Sequence, residues 1–323
     1  MTGSLPALVV GEALVDVIAG PDGPRRSAHP GGSPANVALG LGRLGHPVRL
    51  ATRVGHDDYG RLVRVHLESS GVELAPGSVV DATTSTATAV LDRAGAAKYD
   101  FDITWALSVA VEESLREGPP AHAHTGSIAT ALAPGADQVL NALHALRTSA
   151  TVSYDPNVRP ALLRSPEEER ERVEELVALS DVVKASEEDL AWLHPGEDPN
   201  RTAARWARSG PALVVLTLGA DGARAWWRHG YQDIAPIPAQ VVDTVGAGDA
   251  FMAALVSRLL HVGLLGGGPG LEAVTARAAL RAATDTDRLP QVLDEALTVA
   301  ARAAALTCTR EGADPPTTAQ LMV

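Results

Sequence analysis

Only one cysteine, Cys308, occurs in 323 residues, which excludes an internal disulfide and a cysteine-based metal cluster and fits a reducing compartment. Cys308 itself reads as a packing residue rather than a nucleophile. Aromatic residues are scarce, 3% against a hydrophobic share of 46%, so the core must be built from Ala, Val and Leu, as in parallel sheets covered by helices. Basic residues are outnumbered 27 to 39, for a formal charge of -12, and no Lys/Arg run stands out, which argues against nucleic acid or an anionic membrane as partner. No apolar run reaches membrane-spanning length, and residues 1–10 lack a basic segment followed by a long apolar one, so the expectation is a soluble, cytoplasmic protein. A Walker-type phosphate loop, Gly-x-x-x-x-Gly-Lys-Ser/Thr, is absent. The match to the dinucleotide pattern Gly-x-Gly-x-x-Gly, Gly40 to Gly45, ends a helical stretch instead of opening one, with Gly45 a plausible C-terminal cap. A nicotinamide enzyme thereby loses its support.

What is present concentrates in Asp243-Thr244-Val245-Gly246-Ala247-Gly248-Asp249. Beyond it Phe251, Met252, Leu255, Val256, Leu259 and Leu260 recur at helical spacing, so a glycine-rich turn and an acid stand at the start of an apolar helix. Free amides and the positive dipole end at such a start bind anions, and the glycines let the backbone approach closely. Upstream, residues 8–10, 48–51, 151–154, 182–183 and 213–218 read as buried strands separated by helical segments, the pattern of a parallel sheet with helices on both faces. Asp16, Asp155, Lys184, Thr217 and Asp249 follow apolar runs, and ligands of such sheets sit at the carboxyl ends of strands. Residues 17–30 and 79–104 break the alternation and read as β structure. Residues 263–270 read as a flexible loop without chemistry.

Further motifs carry polar chemistry. Pro30-Gly31-Gly32-Ser33-Pro34-Ala35-Asn36 opens a helix with Ser33 as its cap, but capping does not explain the Gly pair or Asn36 one turn inside. Asp16, if ionised, accepts only and suits a polyol with several donors. Arg159, in Asp155-Pro156-Asn157-Val158-Arg159, could grip a phosphate or carboxylate in a forked geometry, whereas Asp155 and Asn157 read as turn formers. Arg53 and Asp57 are expected to pair and hold a loop. His122 and His124, two apart with no third partner, read as a polar strand face rather than a metal site.

Asp243 to Asp249 resembles the signature of the ribokinase-like, or PfkB, sugar kinases, and motifs in that family's order extend from Gly11 to Ala313. The resemblance implies an α/β, ribokinase-like three-layer sandwich with a mostly parallel central sheet. It also implies one kinase domain over residues 1–323, with a small β lid from about 17–30 and 79–104. It makes Asp249 the catalytic base and gives the amides of Gly246, Ala247 and Gly248 the anion hole. Sugar binding falls to Asp16, Gly31, Gly32 and Asn36, with Arg159 and the lid aromatics Tyr99 and Phe101 beside them. Thr217, Gly219 and Gly222 would border ATP, with Lys184 and Ser186 near its phosphates. The family's Asn-x-x-Glu region, which organises Mg²⁺, appears here with Ser186 and Asp189 in those places, so Glu187 or Glu188 could serve instead. Asp243 and Val245, with the 306–313 segment, would hold K⁺.

The expected activity is ATP-dependent phosphorylation of a primary sugar hydroxyl. Residues 11–16 and 154–159 resemble bacterial fructokinases, which makes fructose the first choice before 2-keto-3-deoxygluconate and ribose. A negative protein also favours a neutral sugar over a phosphorylated one. A rival of another class is a sensor that binds sugar or nucleotide on the same fold without turnover. Lid strands of relatives often pair to make dimers, which makes a homodimer one option and leaves the oligomeric state open.

Overall fold

A computed structural model describes residues 5–19, 25–91 and 97–322. The strands are β1 (Ala7–Val10), β2 (Leu14–Ala19), β3 (Arg25–Gly31), β4 (Val48–Ala51), β5 (Val54–Gly55), β6 (Val72–Leu74), β7 (Val79–Val80), β8 (Thr86–Leu91), β9 (Ala97–Asp102), β10 (His122–Gly126), β11 (Thr151–Asp155), β12 (Val182–Ser186), β13 (Leu213–Thr217), β14 (Ala223–Trp227) and β15 (Gly230–Ile234). The helices are α1 (Ser33–Arg43), α2 (Asp58–Glu68), α3 (Ala110–Arg116), α4 (Gly135–Leu146), α5 (Pro166–Leu179), α6 (Glu187–Leu193), α7 (Pro199–Ser209), α8 (Ala247–His261), α9 (Glu272–Thr284), α10 (Gln291–Cys308) and α11 (Thr318–Leu321).

Nine strands form the central sheet in the order β15-β14-β13-β12-β11-β10-β1-β4-β6. Every pair from β6 to β13 is parallel, and only β14 is reversed, pairing antiparallel with β13 and with the edge strand β15. The apolar runs alternate sides as a two-residue period requires. Ala7, Val9, Val182, Leu213 and Val215 join one core with α1, α8 and α10, while Leu8, Val10, Val183, Val214 and Leu216 join another with α4 to α7. Ala, Val and Leu fill both cores, as the scarcity of aromatics demands.

The chain leaves β1 toward β4 and β6 on one side and returns to β10 on the other. The topological switch therefore lies between β1 and β10, and ligands of open α/β sheets bind beyond the carboxyl ends of strands at such a point. A separate four-stranded sheet, β3-β2-β8-β9, grows from that end.

Several local expectations change. The Gly45 cap is real: Gly45 N–H donates to Gly42 O at 2.9 Å and His46 N–H to Leu41 O at 3.1 Å, a Schellman closure with Gly45 at φ 87°. Ser33, however, is not the cap of α1. Gly32 occupies that place, and the Ser33 hydroxyl turns elsewhere. Arg53 and Asp57 do not pair: Asp57 caps α2 through Gly60 N–H at 2.8 Å and takes Thr84 N–H at 2.8 Å, while Arg53 donates to Thr104 O at 3.3 Å. The 263–270 segment is tied down, since Gly266 N–H donates to Thr151 Oγ1 at 3.0 Å and Gly268 N–H to Ser149 O at 2.8 Å. His122 and His124 lie on a buried strand face, bonded to Thr151 and Ser153. No group of three metal-ligating side chains occurs among the described residues, and no helix among them is long and apolar enough to cross a membrane.

Candidate active site

The motifs read as sugar ligands meet where β1 passes into β2. Gly31 and Gly32 are required by their neighbours: a Cβ at Gly31 would collide with the Asp16 carboxylate, and Gly32 sits at φ 103° with a Cβ position 2.6 Å from Glu12 O. Asp16 pairs across strands with His29 on β3 and with Ala87 on β8, and Ala87 pairs with Phe101, so His29, Asp16 and Phe101 form one row on one face of the small sheet. The Tyr99 side chain lies outside the described ones. Burial raises the Asp16 carboxyl above its ordinary range, opposed by Arg159 and His29. Glu12 is buried more deeply. Its carboxylate accepts Ala129 N–H at 3.0 Å, and desolvation lifts its pKa to about 7 against backbone hydrogen bonds and the Arg159 charge.

Asp249 stands in the first turn of α8. Gly246, in the left-handed region at φ 76°, caps that helix without a side chain. Ala247 N–H folds back to Thr244 O at 3.3 Å, whereas the N–H groups of Gly246, Gly248 and Asp249 have no acceptor among the described residues. Of the three amides implied by the resemblance, those of Gly246 and Gly248 are thus free and that of Ala247 is not, while the Asp249 amide is free in addition. The Asp249 carboxylate, 6% exposed, accepts from Ser33 Oγ at 2.7 Å on Oδ1 and from Asn36 Nδ2 at 2.8 Å on Oδ2. Burial pushes its pKa up, while the Ser33 and Asn36 hydrogen bonds and the Lys184 and Arg159 charges pull it back. Asn36, read as a sugar ligand, therefore also holds the Asp249 carboxylate.

Lys184 rises from β12 beneath the same turn. Its Nζ lies 3.1 Å from where a Gly248 Cβ would be, so glycine at 248 makes room for an ammonium. Asp155, at the end of β11, pairs with Nζ at 3.0 Å, and both groups are buried. Desolvation raises the Asp155 carboxyl to about 6 despite Lys184. The Lys184 pKa is shifted upward: desolvation acts to lower it and is outweighed by Asp155, Asp189 and Asp249.

Ser186 and Asp189 form a capping box at the start of α6, and the second Asp189 oxygen accepts Val158 N–H at 2.7 Å. Both Asp189 oxygens thus take part in structural hydrogen bonds, whereas Glu187 and Glu188 beside it are exposed. Thr217 Oγ1 donates to Ala185 O at 3.4 Å at the end of β13, and Gly219 and Gly222 shape the turn into β14 at φ 56° and 92°. Asp243 accepts Val245 N–H at 3.0 Å and Gly312 N–H at 2.9 Å, which brings the 243–245 loop against the segment after α10.

Reading the sequence alone missed Ser33, Asn157, Asp155 and Glu12 as members of this site. Each has a bland local explanation as a cap, turn former or strand end, and each acquires its role from a partner distant in sequence: Asn157 Nδ2 donates to Ser33 Oγ at 2.7 Å, 124 positions away.

A free helix N-terminus, a buried carboxylate in its first turn and a buried ammonium below are groups suited to phosphoryl transfer. The pfkB family carbohydrate kinase model matches residues 6–320, and the chain belongs to that family. It is 36% identical over 263 residues to a fructokinase of Klebsiella pneumoniae, covering 79% of this chain and 85% of that one. A fructokinase with bound ATP from Xylella fastidiosa superposes with a TM-score of 0.83 at 26% identity, covering 98% of this chain and 97% of that one. A double mutant of Vibrio cholerae O395 fructokinase, in a form with fructose, ADP and potassium ion bound, gives 0.74 at 27% identity, covering 100% and 99%. The chain is an ATP-dependent sugar kinase with the ribokinase-like fold.

Proposed function

We propose that the protein phosphorylates fructose, with Asp249 as the base that takes the proton of a primary hydroxyl. The observation that carries this reading is the placement of the buried Asp249 carboxylate in the uncapped first turn of α8, facing Asn36 and above Lys184. Asp16, Gly32 and Asn36 would hold the sugar, with the small sheet as its cover. The Gly246, Gly248 and Asp249 amides and the Lys184 ammonium would face the charge that develops on the transferred phosphoryl group. Asp249 is a weak base. A loose transition state tolerates that, because proton loss comes late and positioning dominates.

Residues of the site fit a nucleotide and its metal. The free amides and Lys184 match phosphate oxygens, Thr217, Gly219 and Gly222 leave an open edge, and the exposed Glu187 and Glu188 could bind waters of Mg²⁺. Bound Mg²⁺ would neutralise charge on the phosphates. Asp243 and the Val245 carbonyl would serve K⁺ as hard oxygen donors. The fork of Arg159 also favours a second reading, 2-keto-3-deoxygluconate, whose carboxylate it suits.

A coupled ADP-release assay separates these. Fructose, 2-keto-3-deoxygluconate, ribose, glucose, nucleosides and fructose 6-phosphate are compared with and without K⁺. Fructose is expected to give the highest kcat/KM. A preference for fructose 6-phosphate contradicts the argument from net charge, and sugar binding without turnover on any of them favours the sensor.

A further inference from the structure

Four side chains form a directional hydrogen-bond chain that ends on Asp249. Arg159 NH1 lies 2.6 Å from Asn157 Oδ1 and 3.0 Å from Asn157 O. A guanidinium can only donate, so the amide oxygen of Asn157 must face it and the amide nitrogen must face the other way. That nitrogen lies 2.7 Å from Ser33 Oγ and 3.4 Å from Asp249 Oδ1. Ser33 Oγ therefore accepts from Asn157, and its single proton goes to Asp249 Oδ1 at 2.7 Å. Each member's orientation is fixed by the one before it. Asn157 sits at φ 36°, a left-handed conformation that Asn tolerates better than most residues, and there its side chain reaches α1.

We propose that Ser33 and Asn157 are positioning residues that orient the base and hold its carboxylate ionised, linking it to the Arg159 guanidinium. The inference rests on the reading of Asp249 as the base. Donation to Oδ1 from Ser33 and to Oδ2 from Asn36 leaves the carboxylate one orientation, and hydrogen bonds to the charged form lower its pKa. The other charged groups that face Asp249 are Lys184 from β12, Asp155 from β11 and Arg159 itself. Removing the Ser33 hydroxyl leaves those in place and removes one donor, so the base should become harder to ionise.

The test uses Ser33→Ala, Ser33→Thr, Asn157→Gly and the Ser33→Ala/Asn157→Gly double variant, with Asp249→Asn alongside. Glycine at 157 keeps the left-handed backbone and deletes only the amide. Ser33→Ala is expected to lower kcat about 10-fold, the scale of a lost hydrogen bond to a charged group, with KM for sugar and MgATP within about twofold. The acid limb of its kcat–pH profile should move to higher pH. Ser33→Thr, which keeps the hydroxyl, should restore both. The double variant should be hardly slower than the worse single one, because the two residues act as a unit. A folded Ser33→Ala enzyme with unchanged kcat and acid limb, beside an inactive Asp249→Asn, overturns the proposal and leaves the base reading standing. Losses that multiply in the double variant overturn the linkage. An active Asp249→Asn enzyme defeats the base reading itself.

Discussion

At the scale of single residues, the buried Lys184–Asp155 pair is where charge is held most tightly. Removing Asp155 takes from the buried Lys184 its directly paired carboxylate and leaves only the more distant Asp189 and Asp249, so Asp155→Asn is expected to lower stability by up to about 3–5 kcal/mol. The double variant Asp155→Asn/Lys184→Met should lie closer to the wild type, because the ammonium that has lost its paired carboxylate is then gone. Urea unfolding of the wild type, Asp155→Asn, Lys184→Met and the double variant measures this. Equal destabilisation by the single and double variants would contradict the pairing. Lys184 and Asp155 both stand out in the sequence as charges that end apolar runs, but their pairing was not legible, since an acid before Pro156 also makes a turn. Only the neighbouring strands β11 and β12 bring the two charges together. Ser33 was obscured in the same way: its place before Pro34 suits a cap, and its partner is 216 positions away.

At the scale of elements, α6 does more than cover the sheet. The capping box of Ser186 and Asp189 fixes its start, and the second Asp189 oxygen fastens Val158, next to Arg159. Asp189→Ala should cost about 1 kcal/mol for the cap and in addition leave the Val158 N–H without its acceptor. Because the loop carrying Asn157 and Arg159 would loosen, KM for the sugar is expected to rise several-fold more than KM for MgATP. Steady-state kinetics and thermal melts check both parts, and a lower melting temperature with unchanged sugar KM would separate cap from site. The element pattern was largely legible. Strands β1, β4, β11, β12 and β13 follow from apolar runs, and α8 from its helical spacing. The 263–270 segment was not legible as ordered, because its bonds to Ser149 and Thr151 are long-range backbone contacts that Gly-rich composition does not encode.

At the scale of the whole molecule, the core under α1 and α8 contains imidazoles held neutral. Burial drives the His122 and His124 pKa values down to about 3 from the ordinary 6.5, with the His124 charge adding to the effect on His122 and Lys184 to that on His124. The unfolded chain binds protons there that the folded one refuses. Their contribution to stability is complete above about pH 6.5 and is lost as pH falls toward about 3. Compared with a His124→Asn variant, the wild type should lose relative stability steadily over that window, measured as the difference in urea midpoint. A pH-independent difference would contradict the burial of a neutral imidazole. On the proposed function, the strand ends meet at one event, the transfer of a phosphoryl group to a sugar hydroxyl that Asp249 deprotonates. Sugar-dependent ADP release by Asp249→Asn, with fructose affinity measured by calorimetry on the same sample, tests this most directly. The predicted result is a fall in kcat of about 10²-fold or more with fructose binding retained; turnover within a few-fold of the wild type would contradict it.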